Sequence, residues 1–182
     1  MNVLIVVDMQ KDFIDGAVGS KEAMGIVKNV VKRVESSTDE LILFTKDTHG
    51  EDYLSTPEGK KLPIPHCIEG TDGWQINEAI LTAWRDNKNT IKIPELSDNT
   101  ITKPVFGSTR LVEFLKSRKE DITEIEILGL CTDICVISNA LMIKNTMPEI
   151  PISVNAACSA GITPQSHQEA LNVMGMCQID II

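Results

Sequence analysis

The hydrophobic positions of this chain fall into two patterns that alternate. Val3-Leu4-Ile5-Val6-Val7, Leu41-Ile42-Leu43-Phe44, Glu124 to Leu128, Ile150 to Val154 and Gln178 to Ile182 are short runs rich in β-branched residues, which predicts strands buried on both faces. Between them, Glu22 to Val34, Trp74 to Trp84, Leu111 to Arg118, Thr132 to Lys144 and Gln165 to Met174 carry apolar residues three and four apart, the spacing of amphipathic helices. Strand and helix in alternation imply right-handed crossovers into a mostly parallel sheet covered by helices on both sides, a three-layer α/β/α class. Two stretches break the pattern. Lys46 to Gly73 has no clear period and holds three prolines and two of the three histidines, and a loop that long in a compact domain usually has a function. Ile93 to Pro104 is a second irregular crossing, flanked or entered by strand-like pieces at Thr90 to Ile93 and Thr100 to Thr102. With no internal repeat, low-complexity tract or boundary signal, residues 1–182 read as one domain.

Composition narrows the function classes. Seventeen Lys+Arg against 26 Asp+Glu give a net charge of −9, which argues against a basic nucleic-acid surface. No apolar run approaches the ~20 residues that cross a bilayer. The first apolar run stops at Asp8 and lacks both a basic leader and a small-residue cleavage site, so the expectation is a cytoplasmic protein without a signal peptide. Five cysteines, an odd number, suit buried or reactive thiols better than a disulfide framework.

In open sheets of this class function collects beyond the carboxyl ends of the strands. Asp8 follows the first run directly; desolvation there raises a carboxyl pKa and suits a general base, the alternatives being a metal or nucleotide ligand or a turn residue. The fourth long run ends in Gly129-Leu130-Cys131-Thr132-Asp133-Ile134-Cys135-Val136. Capping by Thr132 or Asp133 would put Cys135 in the first helical turn, where dipole and free N–H groups favour a thiolate and can hold an oxyanion. Cys131 competes for the same role, and buried structural cysteine is the common fate of any one thiol. Lys103 is either an exposed lysine or an amine that reaches Asp8 and Cys135, lowering the thiol's pKa. His167 lies in a polar helical stretch and reads as a solvated surface residue, so a Cys-His pairing has little support. After the second run, Asp47 and His49 sit two apart on one face, Pro63 and Pro65 stiffen the segment that delivers His66, and Glu58 lies between. Two imidazoles and two carboxylates form a donor set for zinc, iron or manganese; Cys67 is a further possible ligand, and hydrogen-bonded loop histidines are the plain alternative.

Asp8 in Asp-Met-Gln-Lys-Asp-Phe, Lys103 in Lys-Pro-Val-Phe-Gly-Ser and Cys135 in Gly-Leu-Cys-Thr-Asp-Ile-Cys-Val resemble, in order and over nearly the whole chain, the isochorismatase-like cysteine hydrolases. Asp47-Thr48-His49 followed by Pro65-His66 is similar to the nicotinamidase branch. The resemblance implies a catalytic triad of Asp8, Lys103 and Cys135, oxyanion donors at the N–H groups of Cys131 and Cys135, and a cis peptide before Cys131. It further implies metal ligands Asp47, His49 and His66, with Glu58 as a fourth, and a substrate ring walled by Phe13 and Phe106, with Trp74 either a further wall or a core helix residue. Nicotinamide hydrolysis through a cysteine thioester is the implied reaction, with a divalent metal, zinc first, as cofactor. The expected partner is a small-molecule amide, with no nucleic acid and no membrane, and a homo-oligomer is the expected assembly. Lys11 stands where the branch commonly has asparagine and adds a cation near the site. The alternatives are an amide hydrolase for a carbamoyl or ureido substrate, a non-catalytic binding protein of the same fold, and a thiol-redox protein using Cys131 and Cys135.

Overall fold

The computed structural model describes residues 1–182. Its strands are β1 (Asn2–Val7), β2 (Glu40–Asp47), β3 (Thr90–Ile91), β4 (Thr100–Lys103), β5 (Glu124–Leu130), β6 (Ile152–Ala160) and β7 (Asp180–Ile181). The helices are α1 (Lys11–Ile14), α2 (Lys21–Glu35), α3 (Pro57–Lys61), α4 (Glu78–Asp86), α5 (Thr109–Lys116), α6 (Ile137–Thr146) and α7 (Pro164–Met176), with a π-helical turn, Thr132–Val136, leading into α6. All pairings are parallel, in the order β3-β2-β1-β5-β6-β7, and β4 continues the β3 edge further along β2.

Residues of the central strands alternate between two cores, because successive side chains of a strand point to opposite faces. Val3, Ile5, Val7, Leu41 and Leu43 pack against Leu111 and Leu115 of α5, Ala140 and Ile143 of α6, and Leu171 and Met174 of α7. Leu4, Val6, Ile42 and Phe44 face Ile26, Val30 and Val34 of α2 and Ile80 and Trp84 of α4. Burial on both sides is why these strands read as unbroken apolar runs. Local chemistry starts the helices: Ser20 Oγ accepts from Ala23 N, Ser108 Oγ from Leu111 N, and Thr163 and Ser166 form a reciprocal capping box.

The expected layers are present, with differences at the margins. The last strand is two residues long and exposed, because as an edge it has a neighbour on one side only. The stretch from Trp74 is non-helical until Asn77, whose side chain accepts from Ala79 N and starts α4. Lys46 to Gly73 is not structureless: a 3-10 turn at Tyr53–Ser55 and α3 fold its first half. No helix is long and apolar enough to cross a membrane.

Parallel strands bring their carboxyl ends to one edge of the sheet. Val7 pairs with Gly129 and Asp47 with Lys103, so Asp8, Asp47, Lys103 and Cys131 emerge side by side. Gly129 makes the central approach possible: its φ is +120°, and a Cβ there would stand 2.1 Å from the Val7 carbonyl oxygen.

Candidate active site

Three buried groups meet at the ends of β1 and β4 and at the turn after β5. The Lys103 ammonium lies 2.7 Å from Asp8 Oδ2, 3.2 Å from Asp47 Oδ1 and 3.5 Å from Cys135 Sγ, and donates to the Val105 carbonyl at 3.1 Å. Neither the Lys103 nor the Asp8 side chain is exposed to solvent. Thr45 donates its hydroxyl to Asp8 Oδ1 at 2.6 Å, which fixes the carboxylate plane. Asp8 Oδ2 is held by the Lys103 ammonium, which also reaches the thiol. Backbone position contributes as well: Asp8 has φ +47°, a left-handed conformation that turns its side chain across the strand end.

Electrostatics assign the protons. Burial raises the Asp8 pKa and the neighbouring Asp47 charge raises it further, against the pull of Lys103. Burial opposes the charge on Lys103, but Asp8, Cys135 and Asp47 hold its pKa well above the ordinary lysine range. The Cys135 thiol is pushed well above its usual value by burial and by Asp8, more than Lys103 can offset. Lys103 lowers the thiol's pKa, as its expected reach to Cys135 implied, but burial and the Asp8 charge outweigh it. Cys131, pushed up to about 12 by burial and by the Asp133 charge, has no contact with Lys103 or Asp8 of the kind Cys135 has.

The turn that carries Cys135 is built differently from a capped α-helix. Cys131 occupies the N-cap position, its carbonyl accepting from Ile134 N at 3.1 Å and, across a π turn, from Val136 N at 3.0 Å. Thr132 and Asp133, the expected caps, point elsewhere. The Thr132 hydroxyl meets His167 Nδ1 at 2.8 Å, and the Asp133 carboxylate accepts from Ile162 N at 3.1 Å. His167 is therefore half-buried against this turn and is not the solvated surface residue its polar surroundings suggest. The peptide Leu130–Cys131 is cis, as the resemblance implied, and the Cys131 N–H makes no hydrogen bond within the protein.

Beside this triad stands a second cluster. One ligand atom from each of Asp47, His49, Glu58 and His66 can be chosen so that all four lie within 4.8 Å of one another. His49 Nε2 is 3.0 Å from Asp47 Oδ2 and 3.7 Å from Glu58 Oε1, and His66 Nε2 is 3.9 Å from Asp47 Oδ2. His66 Nδ1 sits 2.8 Å from the Ile64 carbonyl. A carbonyl only accepts, so Nδ1 carries the proton and the neutral ring has its lone pair on Nε2, facing the cluster. Donor types, closeness and the oriented imidazole fit a divalent ion. Cys67 is not in the cluster; it is buried, and its backbone N–H donates to Asp12 Oδ2 at 2.7 Å.

A cavity of about 80 Å³ adjoins both the triad and this cluster. Asp47, Glu58 and His66 line it with Cys131 and Cys135, and Phe13, Val18, Leu62, Phe106, Ile134 and Ile162 supply apolar walls. The Phe13 ring stands edge-on to His66, centroids 5.5 Å apart.

The family model described as the isochorismatase domain matches residues 2–181. The chain belongs to the isochorismatase family. Solved structures of the family superpose over nearly all of it: the pyrazinamidase/nicotinamidase from Streptococcus mutans is 26% identical and covers 100% of both chains at a TM-score of 0.81. The nicotinamidase from Bacillus subtilis is 25% identical over 99% of this chain and 98% of its own, at 0.80. In sequence, the nicotinamidase/pyrazinamidase of Mycobacterium tuberculosis is 24% identical over 100% of this chain and 98% of its own length.

Within this isochorismatase-family cavity the residues read from sequence divide clearly. Asp8, Lys103 and Cys135 come together, as do the four metal-ligand candidates, and Phe13 and Phe106 both line the cavity. Trp74 does not: its indole donates to Thr48 Oγ1 at 2.9 Å and its ring lies under Lys46, outside the cavity. Lys11 does not reach it either, because its ammonium pairs with Asp72 at the surface. Val18, Leu62, Ile134 and Ile162 were not foreseen as walls. Ile162 stands just past the end of β6 and Ile134 between the two motif cysteines, positions where the strand-end rule could have found them; Val18 carries no such signal.

Proposed function

We propose that the protein is a metal-dependent amide hydrolase of the nicotinamidase kind, converting nicotinamide and water to nicotinate and ammonia through a thioester on Cys135. The observation that carries this reading is one small, largely apolar cavity lined by Cys135 of the buried Asp8–Lys103–Cys135 unit and by Asp47, Glu58 and His66 of the four-donor cluster. The names of the similar proteins, nicotinamidases and pyrazinamidases among them, support the same substrate class.

Each step rests on a group of this chain. Asp8 takes the Cys135 proton as sulfur attacks the amide carbon, and Lys103, held between the two, compensates the negative charge that passes from Asp8 to sulfur. The N–H groups of Cys131 and Cys135 face the developing oxyanion. Asp8 returns the proton to nitrogen, the C–N bond breaks and ammonia leaves. Water, deprotonated by Asp8, then attacks the thioester carbon; the C–S bond breaks and the thiol regains its proton. Phe13, Phe106 and the aliphatic walls pack against the ring. A divalent ion held by Asp47, His49, Glu58 and His66, of which zinc best suits the donors, supplies a Lewis-acid position for a ring nitrogen. Purified protein should release ammonia from nicotinamide and lose that activity in Cys135→Ala; a wild type loaded with zinc, iron or manganese in turn and inactive with each would refute the reading.

A further inference from the structure

The pleat of β2 and β4 sends Asp47 and Lys103 to the catalytic side and their neighbours Lys46 and Thr102 to the other. On that other side is a second cavity, of about 240 Å³, lined by Lys46, Thr102, Ser97, Ile76 and Leu81 among others. Lys46 is only 7% exposed. Its ammonium has no ion pair: it stands 2.9 Å from the centroid of the Trp74 ring and 3.4 Å from Gln75 Oε1. The one carboxylate on the cavity wall, Asp98, is taken by Arg85 at 2.7 Å, and Asp47, the next residue in sequence, is engaged by Lys103 on the far face. A ring face and one long hydrogen bond replace only part of the hydration a buried ammonium loses. Ser97 and Thr102 line the same space and their hydroxyls make no hydrogen bond within the protein, while the Thr100 hydroxyl is occupied by the Asp98 carbonyl. Ile76 and Leu81, both buried, give the cavity an apolar floor.

We propose that this cavity binds a small organic carboxylate, with the anionic end on Lys46 and the Ser97 and Thr102 hydroxyls and the apolar body against Ile76 and Leu81. One cation and two neutral donors match a monoanion with two acceptor oxygens; a phosphate dianion has more charge and more acceptors than these groups satisfy, and no apolar part to fill the floor. The site is separate from the catalytic cavity, and the proposal stands whether or not nicotinamide is the substrate.

Isobutyrate is the probe, titrated into the intact protein at constant ionic strength, with inorganic phosphate as the comparison. Intrinsic fluorescence is the readout, because Lys46 covers the Trp74 ring face at the cavity. Saturable binding with a Kd of about 10 mM is expected, weakened ~10-fold or more in Lys46→Met. Because Lys46 adjoins Asp47, the Ser97→Ala, Thr102→Val double variant is tested beside it and should also weaken binding, while Phe106→Ala, in the other cavity, should leave it unchanged. Absence of saturation in the wild type, wild-type affinity in both the Lys46→Met and the double variant, loss of binding in Phe106→Ala, or phosphate binding as tightly as isobutyrate would each overturn the proposal.

Discussion

Cys135 differs from the other four cysteines in what touches it. A buried thiol with a raised pKa is inert on its own; in the proposed mechanism the Asp8 carboxylate takes its proton and an ammonium 3.5 Å away balances the charge. Cys131 and Cys158 are held high by burial without that pair of partners. Cys135→Ala should therefore abolish amide hydrolysis, whereas Cys131→Ala and Cys158→Ala retain much of it; turnover surviving in Cys135→Ala at unchanged metal content would remove the assignment. The same contacts predict how the triad responds to double substitution. Asp8→Asn leaves no proton acceptor and Lys103→Met leaves Asp8 and the thiolate without their counter-charge, so each should cost ~10³-fold or more in kcat and the double variant little beyond the worse single one. Single-turnover acylation rates measure this, and additive losses would mean that the two residues do not act as one unit.

The elements matter by where they stop. Gly129 at the end of β5 has no room for a methyl group against the Val7 carbonyl, and its φ of +120° disfavours any side chain; Gly129→Ala should lose about 3 kcal/mol or more in urea unfolding. The turn after β5 is tied to α7 through Thr132 and His167, and burial lowers the His167 pKa, with the Asp133 charge opposing. An unfolded histidine, with its pKa near 6.5, then binds protons more readily than the folded one. That contribution to stability is complete above pH ~6.5 and declines as pH falls from there through the lowered value. The urea midpoint should therefore drop less between pH 7.5 and 5.5 in His167→Gln than in wild type; equal drops would show that the ring does not titrate in this way. Much of this was legible in sequence because parallel strands buried on both faces leave unbroken apolar runs, and the residue after each run, such as Asp8, lands on the active edge. Lys103 was legible through its motif and not through pattern, since β4 is only four residues long. Trp74 was ambiguous because an aromatic residue beside a helix-like spacing suits a wall or a core equally, and the tertiary contact that decides it, Lys46 on its ring, joins elements distant in sequence. His167 was misread for the same reason: its partner is 35 residues away, and a polar helix face says nothing of what packs on it.

At the scale of the whole molecule, the cluster of Asp47, His49, Glu58 and His66 ties the long segment after β2 back to the sheet edge. An ion that binds the folded cluster and not the unfolded chain stabilises the fold by about 4 kcal/mol when free metal exceeds Kd a thousandfold. For a domain of this size that is roughly 8–16 °C in Tm. Chelation should lower Tm by that order, and His49→Ala should carry no stoichiometric metal and show no such shift; a chelator-insensitive Tm would place the ion elsewhere or show none bound. The cavity that adjoins cluster and triad then sets substrate choice. Nicotinamide and benzamide share the amide and nearly the same ring, and Phe13, Phe106, Leu62 and Ile162 pack either one about equally, so apolar contact cannot separate them. The ring nitrogen is the difference, and Asp47, Glu58 and His66 of the metal cluster line the same cavity as Cys135. A site built to engage a polar atom rejects the analogue lacking it by ~10⁴-fold or more when its groups are fully desolvated, and by less when water can substitute. Because three of the wall residues are exposed, Leu62 at 39%, Phe106 at 44% and Ile162 at 55%, water has access, and the expected preference for nicotinamide is at least ~100-fold in kcat/KM, measured by ammonia release. Equal values would rule out recognition of the ring nitrogen and leave the metal cluster a structural role. Hydrolysis of neither amide, in protein shown to hold its ion, would turn the search to carbamoyl and ureido amides, which need the same Asp8, Lys103 and Cys135 but no ring between Phe13 and Phe106.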